Sequence, residues 1–475
     1  MEQSLISVGI DIGTSTTQVI FCKIIIENLA TAWTVPSVRI VDKQVFYKSD
    51  IHFTPMVNIN VLDAESIKNI VELEYKKAGI LPKQVSTGAI IITGEAARKR
   101  NAEDILNMLS GLAGDFVVTT AGPDLEGILA GKGSGACAYS KEHSLTIMNF
   151  DIGGGTTNVA VYKNGEVVDS ACFDIGGRLI KFDHANRISY FSKKMQQLIA
   201  FLGVDLKISD PYDAKKIEVI TMAMAHAIVS IALGRYDDEI VQLLITDHGL
   251  KSKHAIDAMC LSGGVADCLM GDEANIFAYN DIGILLGRSI GEAVKQSALS
   301  MFIARETIRA TVIGAGVHTT NISGSTIHYS QELLPIKNIP VIRLTDAEEK
   351  LQGVKRSEAI EKRLNWAIHD DESPLVALAL RGNRKYGFDD LQRLADDIIY
   401  GMRRVIDSEK PLLIVVDHDI GKSLGLSIRR NLSQEKPVIC IDSIVVDNGD
   451  YIDVGTPVAD GQVLPVIIKT LLFGY

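Results

Sequence analysis

The sequence predicts an α/β protein in which two similar domains face each other and a further α/β region follows them. The first observation is an internal repeat: Asp-Ile-Gly-Thr-Ser-Thr-Thr at residues 11–17 returns as Asp-Ile-Gly-Gly-Gly-Thr-Thr at residues 151–157. The second is that an apolar run precedes each copy and an alternating run follows it, as in two β-strands joined by a tight turn. The third is that helical patterns fill the chain between the strand patterns. We therefore expect domains at residues 1–145 and 146–300, and a C-terminal α/β region at residues 301–475.

The individual elements follow from the spacing of apolar residues. Apolar positions at helical spacing predict helices over residues 64–77 and 213–233, and the short apolar run 258–261 predicts a buried strand. Beyond residue 300, the densely charged stretch 345–363 predicts a helix with a solvated face, and the run 412–416 predicts another buried strand. Helices and strands thus alternate through all three regions.

Composition and charge limit the class of protein. The chain has 475 residues, of which 47% are hydrophobic and 23% charged, as in an ordinary globular protein. Its formal net charge of -11 repels phosphate backbones, so we expect no nucleic-acid partner. The six cysteines include no Cys-x-x-Cys pair, which argues against a zinc site or a disulfide framework. The N-terminus lacks a signal-peptide pattern and no apolar run reaches the roughly 18 residues of a membrane span, so we expect a cytoplasmic protein without a membrane partner.

The two repeated turns carry the residue types that bind a nucleoside triphosphate. Glycines let backbone N–H groups approach phosphate oxygens, and Ser and Thr hydroxyls add donors. A carboxylate at a strand end repels phosphate but can hold Mg²⁺, usually through water, and the ion neutralises the phosphate. We therefore predict that ATP and Mg²⁺ bind between the turns, with Asp11 and Asp151 as catalytic carboxylates that hold the Mg²⁺. The predicted nucleotide-binding residues of the turns are Gly13, Thr14, Ser15, Thr16, Gly153, Gly154, Gly155 and Thr156.

A third Gly-rich segment offers a place for the base and the ribose. The apolar run 258–261 ends in Ser262, Gly263 and Gly264, and bare backbone at such a strand end lets a flat base lie close. These three residues are predicted to bind nucleotide because they follow the second phosphate turn in the expected order. A similar segment at residues 312–316 comes later, and the sequence leaves open whether it contacts nucleotide.

Other short motifs do not lead to a site. Gly421-Lys422-Ser423 resembles part of a P-loop, but Val416 stands where the first glycine of that motif is required. Asp-His-Asp at residues 417–419 could ligate a metal, but helix capping is favoured because the run lies between a strand end and Gly421. The chain contains no Asp-x-His-x-x-Gly sequence, so a base-off cobalamin site of that kind is not expected.

In their order, these segments resemble those of the actin, heat-shock chaperone and sugar-kinase superfamily. Residues 11–17 resemble its first phosphate motif, residues 151–158 its second, and residues 261–264 its adenosine motif. Residues 281–287 resemble the second connecting helix, which packs the two domains together. The resemblance implies an actin-like ATPase fold with two facing ribonuclease-H-like domains.

Over nearly the whole chain, the sequence also resembles the ethanolamine ammonia-lyase reactivating factors of bacterial ethanolamine utilisation. Residues 8–16 carry this resemblance in the first domain, and residues 314–320 and 416–421 carry it beyond the region shared with the wider superfamily. It implies an ATP-dependent chaperone, with ethanolamine ammonia-lyase as its partner, that releases damaged adenosylcobalamin so that intact cofactor can bind. This protein would then contact cobalamin only through the lyase. Association with a bacterial microcompartment is left open.

Two positions depart from the pattern of the heat-shock chaperones. Those chaperones place a Glu before a Pro in the first connecting segment, where it helps to position the attacking water. Here Gly122 precedes Pro123, and acids follow only at Asp124 and Glu126. The second phosphate motif of those chaperones ends in Asp, whereas this chain has Asn158. Both differences predict slow hydrolysis, as in a switch rather than a metabolic kinase.

Two other functions stand as alternatives. A small-molecule kinase acting on a sugar or an acid would share the fold, but it needs a general base near its acceptor, and no aromatic-rich substrate loop supports it. A filament-forming relative of actin would use the C-terminal third for assembly. ATP turnover with added lyase or small acceptors, together with nucleotide-dependent sedimentation, separates the three functions.

Overall fold

The computed structural model describes most of the chain. It contains three large sheets, one each in the N-terminal, middle and C-terminal parts. The described residues are 2–28, 38–58, 61–94, 96, 99–109, 117–120, 122–270, 275–318, 320–324, 327–367, 375–383, 385–433, 435–448, 450–458 and 461–470. Thr319, which belongs to one of the segments that carry the family resemblance, lies outside them.

The first sheet forms around the first repeated turn. Its region contains, in chain order, β1 (Glu2–Ile12), β2 (Thr16–Asn28), β3 (Val38–Lys48), β4 (His52–Phe53), β5 (Met56–Asn58), β6 (Val61–Leu62), α1 (Ala64–Ala78), β7 (Val85–Ile92), α2 (Ala102–Leu109) and β8 (Val117–Thr120). The described strands of the sheet run in the order β3–β2–β1–β7–β8. The apolar stripes of α1 and α2 share one core with β1, in which Ile67, Ile105 and Ile10 are fully buried.

The second sheet forms around the second repeated turn. Its region contains α3 (Pro123–Gly133), α4 (Ala136–His143), β9 (Thr146–Ile152), β10 (Thr157–Lys163), β11 (Glu166–Phe173), β12 (Ile180–Phe182), β13 (Ile188–Phe191), α5 (Lys193–Phe201), α6 (Ala214–Ala232), α7 (Glu239–Leu244), β14 (Ala258–Ser262), α8 (Gly264–Met270), α9 (Gly283–Gln296) and β15 (Met301–Ile303). The described strands run in the order β11–β10–β9–β14–β15. The helix expected at residues 213–233 is confirmed, and Asp213 caps it by accepting the backbone N–H groups of Lys215 and Lys216.

The two sheets have the same topology. In each, three consecutive strands pair antiparallel as a meander, a later strand pairs in parallel with the first of them, and a further strand pairs in parallel with that later strand. This is the ribonuclease-H-like order, so the predicted fold of two such domains in an actin-like pair is confirmed. The proposed boundaries at residues 145/146 and 300/301 stay predictions. β15, which begins at Met301, completes the second sheet just beyond the latter boundary.

Two helices lie between the sheets. The helix α10 (Ala310–His318) contacts β1 and β2 of the first sheet, α3 contacts β9 and β10 of the second, and the two helices pack on each other. The two helices come this close because glycines, which have no side chain, stand where they meet. A Cβ on Gly133 would lie 1.9 Å from the carbonyl oxygen of Ala310, and one on Gly314 would lie 2.0 Å from that of Leu129.

This arrangement corrects one expectation from the sequence. The segment 281–287, expected to be the second connecting helix, begins α9, which packs on α6 and α8 within the second half of the molecule. The connecting helix that meets both halves is α10, built from the Gly-rich segment 312–316. Glycines there serve close helix packing, since Gly314 faces α3 and Gly316 faces Gly9 of β1.

The C-terminal region is an α/β layer of its own. It contains β16 (Thr320–Ile322), β17 (Ile336–Arg343), α11 (Asp346–Glu349), α12 (Val354–Ala367), β18 (Ala377–Leu380), α13 (Phe388–Gly401), α14 (Arg403–Ile406), β19 (Leu412–Val416), α15 (Gly421–Asn431), β20 (Val438–Asp442), β21 (Asp450–Val454) and β22 (Pro465–Thr470). Its described strands run in the order β16–β22–β21–β17–β18–β19–β20, and the last four of these pair in parallel.

The segment 417–419 was expected to cap α15, but the N–H of Gly421 at the start of that helix is bound by a residue outside the segment. Asp442, at the end of the neighbouring strand β20, accepts the backbone N–H of Gly421 at 3.1 Å. Asp417 instead forms a two-pronged ion pair with Arg343, at 3.1 Å and 2.6 Å. The cap therefore comes from a residue that is distant in sequence and adjacent in the sheet.

Candidate functional site

A cavity of about 450 Å³ lies between the two repeated turns. The sequence-predicted residues in its wall are Asp11, Gly13, Thr14, Ser15, Thr16, Asp151, Gly153, Gly154, Gly155, Thr156, Gly263 and Gly264. Further wall residues come from the loop before α9 and from the start of α10, including Asp281 and Thr311. The two turns and the third Gly-rich segment, which are far apart in sequence, therefore surround one space.

The two turns have the same backbone geometry. The N–H of Gly13 donates to the carbonyl oxygen of Thr16 at 2.9 Å, and the N–H of Gly153 donates to that of Thr156 at 2.9 Å. Each turn follows the first strand of its sheet, so each aspartate lies one residue before the strand ends. The sequence repeat is thus a repeat of local structure.

Hydroxyl groups hold both aspartates in place. Thr93 donates to Oδ1 of Asp11 at 2.9 Å. Ser262 donates to Oδ1 of Asp151 at 2.8 Å, and Thr311 donates to its Oδ2 at 3.3 Å. Burial raises the pKa of Asp11 to about 7, and the charge of Asp151 contributes to that rise. Burial likewise raises the pKa of Asp151 to about 6.

Ser262 has a different position from the one expected. It was predicted to contact nucleotide, but its side chain is fully buried beneath the cavity wall. Its hydroxyl accepts from the amide of Asn149 at 3.1 Å and donates to Asp151. Ser262 therefore orients the carboxylate, while Gly263 and Gly264 line the cavity.

Glu126 is a cavity residue that the sequence analysis did not assign to the site. It lies in the first turn of α3, and its Oε2 accepts the backbone N–H of Gly94 at 3.2 Å. Burial raises its pKa well above the ordinary value, and the charges of Asp151 and Asp11 raise it further. The acid at Asp124 points elsewhere and pairs with His248 at 3.1 Å. The sequence does show two acids, Asp124 and Glu126, directly after Pro123. It does not show which of the two faces the cavity.

The donor set suits a divalent cation held through water. Three carboxylates face one cavity, those of the buried Asp11 and Asp151 and of the partly buried Glu126; the charge of Asp151 raises the pKa of Asp11, and both aspartates raise that of Glu126. Within the described part of the chain, no group of three His, Cys, Asp or Glu side chains comes together as a direct metal site. The oxygen chemistry and the excess negative charge therefore fit Mg²⁺ with retained water ligands rather than a closed protein cage.

Among the residues that the structure describes, no helix is both long and apolar enough to cross a bilayer.

Comparison with known proteins gives end-to-end matches. The family model of ethanolamine utilisation protein EutA matches residues 3–474. The ethanolamine ammonia-lyase reactivase EutA of Salmonella typhimurium is 36% identical over 475 residues, covering 99% of each chain. The protein of the same name from Escherichia coli is 36% identical over 472 residues, again covering 99% of each chain. Among solved structures, ethanolamine utilization protein EutJ from Carboxydothermus hydrogenoformans is similar over 66% of this chain and 89% of its own, at 15% identity and a TM-score of 0.32, too distant to bear on function. With the family model and both relatives spanning nearly every residue, the chain belongs to the ethanolamine utilisation protein EutA family.

Proposed function

We propose that this protein is an ATP-dependent reactivating factor that acts on ethanolamine ammonia-lyase. It would release damaged adenosylcobalamin from the lyase so that intact cofactor can bind. The observation that carries the proposal is the cavity between two like Asp–Gly turns, in a chain that aligns end to end with relatives named as reactivases of this lyase. Such a factor would act in the cytoplasm.

Nucleotide would bind with its phosphates between the turns. Backbone N–H groups of Gly154 and Gly155, with the hydroxyls of Thr14 and Ser15, would donate to phosphate oxygens from opposite sides. Gly264 leaves open wall for the nucleoside, because a Cβ placed there would first meet Ile308 at 3.7 Å. Asp11 and Asp151 would hold Mg²⁺ through water, and the ion would supply positive charge to the phosphates.

Glu126 would position the attacking water. Its carboxyl group faces the same cavity as the two aspartates, and its raised pKa makes the carboxylate a stronger base. Asn158 contributes a hydrogen bond that lowers that pKa, in a position where an Asp would repel the carboxylate. Because Gly122 stands where the heat-shock chaperones carry a Glu, and Asn158 where they carry an Asp, we expect slow turnover.

Coupling to the lyase would pass through the two helices between the sheets. A nucleotide shifts a two-state protein only by its different affinity for the two states, and a change from 1:99 to 99:1 takes about 5.5 kcal/mol. The γ-phosphate, held by Ser15 of one half and Gly154 of the other, distinguishes ATP from ADP. The interdomain angle set where α3 meets α10 would then differ between ATP and ADP, and with it the affinity for the lyase.

The test is reactivation of the lyase. Purified ethanolamine ammonia-lyase is loaded with cyanocobalamin, which is inactive, and this protein, Mg²⁺ and adenosylcobalamin are added. We expect activity to return with ATP and to stay absent without it, with the corrinoid leaving to solvent rather than to this chain. Equal recovery without nucleotide, or none in any condition, would refute the proposal. ATP turnover that rises with a small sugar or acid, and not with the lyase, would indicate a kinase instead.

A further inference from the structure

The charges around the cavity are unequal. Among the described residues that line it, Arg178 is the only lysine, arginine or histidine. The carboxylates that line it are those of Asp11, Glu126, Asp151, Asp267 and Asp281. A ligand with several negative charges enters such a space only where cations offset the repulsion. Arg178 is therefore the one side chain of the described wall that can attract a polyphosphate by charge.

The stem of Arg178 lies at the meeting point of the two turns. Its backbone N–H donates to the carbonyl oxygen of Gly154 at 2.6 Å, which fixes it beside the second turn. A Cβ on Gly154 would lie 3.1 Å from the Cγ and Cδ of Arg178, and 2.9 Å from the hydroxyl oxygen of Ser15. The arginine stem, the second turn and the first turn thus converge within van der Waals distance.

The guanidinium of Arg178 has a hydrogen-bond donor, Nε, without a partner. Its Nε is buried and makes no hydrogen bond, and the Oδ2 of Asp281 lies 3.8 Å away, beyond hydrogen-bond length. Asp281 cannot readily approach, because its Oδ1 accepts the N–H of Gly283 at 2.8 Å at the start of α9. A buried N–H without a partner is costly, so this geometry favours a ligand that supplies acceptors.

Resting on the proposed function, we propose that Arg178 is the residue that binds the polyphosphate of the nucleotide. Its guanidinium donates to phosphate oxygens of a nucleoside di- or triphosphate, which supply the acceptors that Asp281, 3.8 Å from Nε, does not. The planar fork of arginine matches phosphate geometry, which a lysine ammonium does not. Arg178 therefore recognises the phosphates rather than the nucleoside.

The experiment compares the affinities of Arg178→Gln and the wild type for Mg-ATP, Mg-ADP and adenosine by titration calorimetry. Loss of a charge-assisted hydrogen bond predicts about 10- to 100-fold weaker binding of ATP and ADP. Adenosine affinity should change less than about twofold, and Arg178→Lys should recover only part of the loss. Lys181→Gln is the matched control. It removes one positive charge three residues further on, where the ammonium lies over the ring of Tyr190 at 5.3 Å.

The possible results of this experiment distinguish a wrong assignment of Arg178 from a wrong proposed function. Unchanged ATP affinity in Arg178→Gln, with normal binding by the wild type, overturns the assignment of Arg178 and leaves the proposed function standing. An equal loss for adenosine, or the same loss in Lys181→Gln, also overturns it, because a general change of structure or charge would then explain the effect. A wild-type chain that binds no ATP refutes the proposed function itself.

Discussion

Replacing Asp11 by Asn should stabilise the nucleotide-free protein at alkaline pH. Burial, together with the charge of Asp151, raises the pKa of Asp11 from 3.8 to about 7 in the folded protein. The unfolded chain ionises near the ordinary value, so the folded state binds the proton more tightly. Stability is therefore lost as the pH rises from about 4 to about 7, and the full cost is present above that range.

The size of the effect follows from the shift. A difference of about 3 units between 3.8 and about 7 corresponds to about 4 kcal/mol at pH 8.5, at 1.36 kcal/mol for each unit. At pH 5 the folded carboxyl is still protonated and the cost is smaller, roughly 1 to 2 kcal/mol. Asn cannot ionise, and its amide oxygen can still accept from Thr93. The advantage of Asp11→Asn should therefore grow by about 2 to 3 kcal/mol between the two pH values.

The assay is thermal unfolding at pH 5 and pH 8.5 with EDTA and without nucleotide. We expect the midpoint of Asp11→Asn to exceed that of the wild type at pH 8.5, by a wider margin than at pH 5. Asp205→Asn is the control, because that side chain is 80% exposed. The difference between its unfolding midpoint and that of the wild type should be the same at both pH values. A margin that is constant with pH, or a less stable Asp11→Asn at pH 8.5, would refute the reasoning. Added Mg-ATP should raise the midpoint of the wild type and not that of the variant.

Further predictions concern turnover, affinity and packing. Asp11→Ala and Asp151→Ala should each abolish Mg-dependent ATP hydrolysis while circular dichroism stays unchanged, and near-normal turnover in both would exclude a clamp of two turns. Glu126→Gln should lower the hydrolysis rate by about 100-fold or more with ADP affinity retained; an unaltered rate would show that Glu126 does not act on water. Gly264→Val should weaken ATP and ADP alike, since its side chain would project into the cavity, and a loss of ATP alone would point to the γ-phosphate region instead. Gly314→Ala should destabilise the protein by about 1 to 3 kcal/mol or more through overpacking between α3 and α10, measured as a lower unfolding midpoint.

Two control variants accompany these predictions. Asp205→Ala removes an exposed carboxylate that does not line the cavity, and this variant should hydrolyse ATP at the wild-type rate. Gly122→Ala adds a methyl group where nothing lies within 4 Å of the new Cβ, so its midpoint should stay close to that of the wild type. If Gly122→Ala and Gly314→Ala were equally destabilised, close packing at Gly314 would not be the cause.

Features of the fold that depend on local patterns could be predicted from the sequence. The repeat at residues 11–17 and 151–157 predicted two like units, and the two sheets share one strand order because the same turn follows the same apolar strand in each. The helix at residues 213–233 and the strand at 258–261 were predicted from apolar spacing, which reports burial directly. Such patterns are written in neighbouring residues, so they can be recognised without knowing the tertiary contacts.

The tertiary structure decided what depends on contacts between distant segments. It gave the connecting role to α10 and not to the segment 281–287, because the glycines of α10 let it pack closely against α3 at Gly314 and against β1 at Gly316. It placed Glu126 in the cavity and turned Asp124 toward His248, although both acids lie in the same helical turn. It buried Ser262 beneath Asp151 and aimed Arg178 at the cavity from a strand connection with no motif of its own. By itself, the sequence predicted which turns bind phosphate. Which charged side chains share their space was decided only by packing, because electrostatic interaction acts through distance in the folded molecule and not through separation along the chain.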